Sequence, residues 1–80
     1  MPEIIILPKW GMTMTEGTVA KWFKQIGDAV EAGENLVEIQ TEKVSTIIEA
    51  PISGRITAIL IQEGETVPVG SELAIITPRG

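Results

Sequence analysis

Apolar positions along this chain come in short bursts of four to eight residues, set apart by glycine and proline. Ile, Val and Thr fill the bursts, and no stretch of ten residues keeps the spacing of a helical apolar stripe. The pattern predicts an all-β chain with strands at Ile4–Leu7, Gly17–Trp22, Ala29–Val30, Asn35–Gln40, Ser45–Glu49, Gly54–Ile61, Thr66–Val67 and Glu72–Ile76. Turns are expected at Ile26-Gly27-Asp28, Ala32-Gly33-Glu34, Pro51-Ile52-Ser53-Gly54, Glu63-Gly64-Glu65 and Val69-Gly70-Ser71. Each holds a glycine, the residue that takes positive φ without steric cost.

The turns expose a repeat. Gly17 and Gly54, Gly27 and Gly64, and Gly33 and Gly70 are all 37 positions apart. At the same offset Val30 meets Val67, Leu36 meets Leu73, Ile39 meets Ile76, Val19 meets Ile56 and Asp28 meets Glu65. Two copies of a four-strand unit, neither able to cover its own apolar face, should pack on each other with quasi-twofold symmetry. The Val19/Trp22 and Ile56/Ile59 spacing of three requires a bulge or burial of both strand faces. A small, strongly twisted barrel or sandwich meets that requirement.

The copies differ in one place. Pro8 precedes Gly17 by nine residues and Pro51 precedes Gly54 by three, so the first copy carries about six extra, near Lys9–Met14. An insertion into a symmetric frame is by default a surface loop. This one holds Trp10, Met12 and Met14. Either these side chains fold back over an end of the core, or they form a recognition surface.

Between the copies lies Gln40-Thr41-Glu42-Lys43-Val44-Ser45. Asn35–Thr41 and Val44–Ala50 read as two strands joined by a two-residue connection at Glu42-Lys43. Glu-Lys is not a favoured pair for such a turn, and a side chain held at positive φ there costs on the order of 1 kcal/mol. Glycine is used freely at the other turns, so this one is expected to need its side chains. A lysine at a hairpin tip offers its amine to a modifying enzyme, and a group attached there becomes a tethered arm at high effective concentration. The alternative is an ordinary solvated turn lysine.

Composition narrows the field. Eighty residues with 44% hydrophobic content make one globular domain with a modest core. A net charge of −5, with six basic residues in no run, argues against nucleic acid. No Cys and no His are present. Disulfides, thiolate chemistry, the commonest metal ligands and the usual general base are thereby excluded. The apolar runs reach only four residues, too short to cross a bilayer as a helix. Met1-Pro2-Glu3 does not open a signal peptide, so the expected compartment is the cytoplasm.

The residues Gly27-Asp28-Ala29-Val30, Gly33-Glu34, Leu36-Val37-Glu38-Ile39, Thr41-Glu42-Lys43, Glu49-Ala50-Pro51 and Ser53-Gly54 together carry a family resemblance. The chain resembles the lipoyl domain of the acyltransferase (E2) components of 2-oxo acid dehydrogenase complexes, and Pro8–Gly17 is similar to that family's start. The resemblance implies a flattened barrel-sandwich hybrid of two four-stranded antiparallel sheets, with the modified lysine in the tight turn of one sheet and both termini in the other. It implies a lipoyl domain over 1–77 and the start of a linker at 78–80. Lys43 matches the residue that carries lipoate as an Nε-amide. The dithiolane would be reductively acylated by the thiamine-diphosphate-dependent decarboxylase (E1), deacylated in the E2 catalytic domain and reoxidised by dihydrolipoyl dehydrogenase (E3). The domain itself would be a non-catalytic monomer, served by a lipoate-attaching enzyme.

By the same resemblance Thr41, Glu42 and Val44 set the turn for that enzyme, and the loop of Trp10, Gly11 and Met12 lies beside it for partner recognition. Glu38 and Glu49 offer acidic partner contacts or are simply solvated strand residues. Glu42-Lys43-Val44 stands where the family more often has Asp-Lys-Ala, and Lys9-Trp10-Gly11 looks most like domains of acetoin-cleaving complexes. The rival biotinyl carrier domain has Met-Lys-Met at the lysine, which this chain lacks. The glycine-cleavage H-protein is longer and adds helices. An unmodified barrel-sandwich scaffold remains a third reading, one that leaves the Glu42-Lys43 turn unexplained.

Overall fold

The computed structural model describes residues 1–12, 14–42 and 44–78. Eight strands follow one another: β1 (Glu3–Ile6), β2 (Glu16–Trp22), β3 (Ala29–Val30), β4 (Asn35–Gln40), β5 (Ser45–Glu49), β6 (Gly54–Ile59), β7 (Thr66–Pro68) and β8 (Glu72–Pro78). They form two four-stranded antiparallel sheets, ordered β1-β8-β6-β3 and β5-β4-β2-β7. Exchanging β1–β4 with β5–β8 converts one order into the other, so the quasi-twofold predicted from the glycine spacing is the symmetry of the fold. The barrel-sandwich hybrid is thus an all-β structure, with no helix among the described residues.

The repeat reaches the hydrogen bonds. The Gly27 amide donates to the Ile56 carbonyl at 2.7 Å, and the Gly64 amide to the Val19 carbonyl at 2.7 Å. Likewise Gly33 donates to Ala50 and Gly70 to Leu7, each at 2.8 Å. All four glycines have positive φ, between 87° and 95°, which a side chain would resist. Register shifts at Val19/Lys21 in β2 and at Ile56/Ala58 in β6 are the bulges that the spacing of three required. They let Val19 and Trp22, three apart, both face inward.

The core is built from the paired positions. Val19, Ile56, Leu36, Leu73, Ile39, Ile76, Val37 and Ala74 are fully buried, and Leu7 and Ala50 close the ends. Each large aliphatic among them contributes about 1.5–3 kcal/mol of burial. Of the six strand pairings, only β2–β4 and β6–β8 join strands of one copy; the other four cross between copies. The halves are therefore interlocked rather than merely stacked.

One glycine expectation needs correction. Gly54 has no positive φ; it opens β6, where a Cβ would run into the Thr77 carbonyl oxygen. Its counterpart Gly17 lies in β2, where a Cβ would stand 2.7 Å from the Ile39 Cγ2. Both are glycine because a neighbouring strand of the same sheet approaches closely there, β8 at Gly54 and β4 at Gly17. Strand ends also shift: β1 begins at Glu3, which pairs with Ile76, and β6 stops at Ile59, two residues before the expected end.

Candidate functional site

The β4–β5 hairpin projects the stretch that the repeat placed at the centre of the chain. Thr41 follows β4, Val44 precedes β5, and the Thr41 amide donates to the Val44 carbonyl at 2.8 Å. The Thr41 hydroxyl donates to that same carbonyl at 3.1 Å and accepts from the Val44 amide at 3.3 Å. A threonine side chain thus supplies an acceptor inside the turn. The strained backbone expected for the Glu42-Lys43 pair is not at Glu42, whose φ is not positive. Lys43 lies outside the described residues.

The insertion meets this hairpin. Its loop closes on itself, with the Met14 amide donating to the Gly11 carbonyl at 3.1 Å and the Trp10 amide to the Met14 sulfur at 3.4 Å. Met14 packs against the core, while Trp10 is 41% exposed and Met12 is 94% exposed. The loop therefore divides the two roles open to it: Met14 covers the core, and Trp10 and Met12 face outward. Thr13 lies outside the described residues.

Between loop and hairpin runs a groove of about 830 Å³. Trp10, Gly11 and Met14 line one side, and Thr41, Glu42 and Val44 line the other. The structure thus brings together Trp10, Gly11, Thr41, Glu42 and Val44, five of the residues singled out in the sequence. Met12 is not part of the lining. Glu38 sits mid-strand opposite Lys21 and Ile47, and Glu49 pairs with Asn35 at the far end of β5 from the turn. Neither reaches the groove. Its floor adds Gly17, Thr18 and Gln40, which sequence reasoning missed. Thr18 and Gln40 are cross-strand partners, a relation set by register and invisible in either strand alone.

Charge around the site is simple. Among the described residues no His/Cys/Asp/Glu group has the grouping of a metal site. The Glu34 carboxyl lies in the β3–β4 turn. The Glu31 amide, 2.7 Å from its Oε1, and then Lys24, 3.2 Å from its Oε2, hold it below the usual carboxylate range.

A symmetric barrel with a lysine-bearing hairpin at one end is the architecture of a prosthetic-group carrier. The chain belongs to the biotin/lipoyl attachment family: the family model described as "Biotin-requiring enzyme" matches residues 3–76. Within that family it is a lipoyl domain by similarity to the solved lipoyl domain of the 2-oxoglutarate dehydrogenase complex from Azotobacter vinelandii. The two share 38% identity and a TM-score of 0.82, over 96% of this chain and 98% of that one. The dihydrolipoyllysine-residue acetyltransferase component of the pyruvate dehydrogenase complex of Mycobacterium bovis is 53% identical over 72 residues, 90% of this chain. That of the acetoin cleaving system of Pseudomonas putida is 42% identical over the same share. The chain spans 13% and 20% of these two relatives' lengths. No helix among the described residues is long and apolar enough to cross a membrane.

Proposed function

We propose that this chain is the lipoyl carrier module of a dihydrolipoamide acyltransferase, with lipoate joined to Lys43 as an Nε-amide. The observation that carries the reading is the hairpin closed by Thr41 and Val44, whose two central residues are Glu42 and Lys43. The residues around it fit the group: Trp10, Met14 and Val44 give the neighbouring groove apolar walls suited to an alkyl chain and a dithiolane. Bound lipoate supplies a disulfide that can be reduced and acylated.

The protein's own part is mechanical. Thr41 holds the turn, the barrel keeps it rigid, and the Trp10 loop gives partner enzymes a surface that distinguishes this hairpin from other lysines. The partners in this reading are a thiamine-diphosphate-dependent decarboxylase (E1), the acyltransferase catalytic domain (E2), dihydrolipoyl dehydrogenase (E3) and a lipoate-attaching enzyme. The domain, whose last strand runs through Pro78, performs no chemistry of its own and is a cytoplasmic monomer when isolated.

Intact mass after co-expression with a lipoate ligase and lipoate tests the assignment. A lipoyl increment is expected on the wild type and not on Lys43→Arg. An increment that persists in Lys43→Arg, or a biotin increment with a biotin ligase, defeats it.

A further inference from the structure

Resting on that reading, we infer that the oxidised dithiolane of the lipoyl arm lies against Trp10 in the groove when no partner enzyme is engaged. Glu42 and Val44, the chain neighbours of Lys43, line the same groove as Trp10 and Met14. An arm attached at Lys43 is therefore bonded to the chain between two residues of that lining. The groove's volume, about 830 Å³, falls within the range of about 300–1,000 Å³ typical of small-ligand sites.

The chemistry of the walls matches the ring. Trp10 leaves 41% of its surface in solvent and Val44 leaves 56%, on a chain of net charge −5. A dithiolane covers such surface and adds a favourable sulfur–aromatic contact. The arm's alkyl stretch gains by leaving water along Met14 and Val44. Tethering raises the ring's effective concentration at the groove without any need for tight intrinsic binding.

Symmetry shows that the outward-facing Trp10 is not there to build the barrel. The second copy passes from β5 to β6 in the four residues Ala50–Ser53, and the first needs the nine residues Leu7–Thr15 for the same passage from β1 to β2. The same fold closes without the insertion. The bonds from Met14 to Gly11 and from Trp10 to the Met14 sulfur hold the loop in shape before any ligand arrives. A decarboxylase that grips this loop would displace the ring and so release the arm only where it is wanted.

A disulfide in contact with an indole quenches its emission, which makes the pose readable without any enzyme assay. In protein confirmed by mass to carry lipoyl on Lys43, tryptophan emission is expected to fall relative to the unmodified form and to recover when dithiothreitol opens the ring. Trp10→Phe, which keeps Trp22, should show no fall. In the unsubstituted protein, the Trp10 indole N–H resonance should move on lipoylation and return on reduction. Unchanged emission and an unmoved resonance in lipoylated wild type overturn the inference, as does an equal fall in Trp10→Phe. Absence of lipoyl from Lys43 defeats the carrier reading instead.

Discussion

Thr41 and Val44 are joined by three contacts: amide to carbonyl at 2.8 Å, hydroxyl to the same carbonyl at 3.1 Å, and amide to hydroxyl at 3.3 Å. Two of the three need the threonine oxygen. Thr41→Val keeps shape and volume while removing them, and should lower stability by about 1 kcal/mol in urea titration, the usual worth of such bonds. Attachment of lipoate should slow, since the ligase meets a looser turn, and Thr41→Ser should restore it. Equal ligase rates for Val and Ser would show that the hydroxyl does not shape the site.

Close approach, not turn geometry, holds Gly54 in place. A Cβ there meets the Thr77 backbone, which cannot swing aside as a side chain could. Gly54→Ala should cost about 1–3 kcal/mol by forcing β6 away from β8. Gly11 has nothing within 4 Å of its would-be Cβ, so Gly11→Ala should change stability by no more than about 0.5 kcal/mol. Thermal melts of the two variants should differ clearly, and matching midpoints would refute the account.

Trp22 is the largest side chain of the core and breaks the symmetry opposite Ile59. It is 6% exposed, and its indole N–H donates to the Ile61 carbonyl at 2.9 Å. The Glu63 carboxylate accepts its backbone amide at 2.8 Å. Trp22→Ala should cost about 3–5 kcal/mol, near the whole stability of a domain this small. Loss of the cooperative urea transition is the expected reading, and a shift of only a few tenths of that cost would contradict the packing described.

Glu34 predicts a pH dependence with a definite sign. The Glu31 amide and then Lys24 favour its ionised form, so its folded pKa lies below the usual 4.5. Its contribution is present above that value and fades as pH falls through the lowered folded pKa. Glu34→Gln should therefore be less stable than wild type near neutrality, with the gap closing below about pH 4.5. Urea midpoints measured across that range check it, and a gap independent of pH would refute it.

The parts legible beforehand are those that repeat. Spacing alone pairs Leu36 with Leu73, Ile39 with Ile76 and Val19 with Ile56, and all six are fully buried. The strands Ala29–Val30, Asn35–Gln40 and Ser45–Glu49 have the predicted bounds because glycine turns or the central hairpin enclose them. What escaped depends on contact between distant segments. Nothing near Gly54 in sequence announces the Thr77 carbonyl, and nothing near Thr18 announces Gln40. The Thr41 hydroxyl that accepts from the Val44 amide escaped for the same reason, since it is a contact across the turn.

The antiparallel pairing of β1 with β8 has a mechanical consequence. Glu3 lies opposite Ile76, so the first and last strands begin and finish side by side at the same end of one sheet. A pull applied through the two ends peels these strands apart one rung after another instead of shearing every rung at once, which demands little force. The load stays in the sheet holding β1 and β8, while the hairpin closed by Thr41 belongs to the other. A tug on the ends is thus spent on a fraying edge before it can disturb the tip of that hairpin.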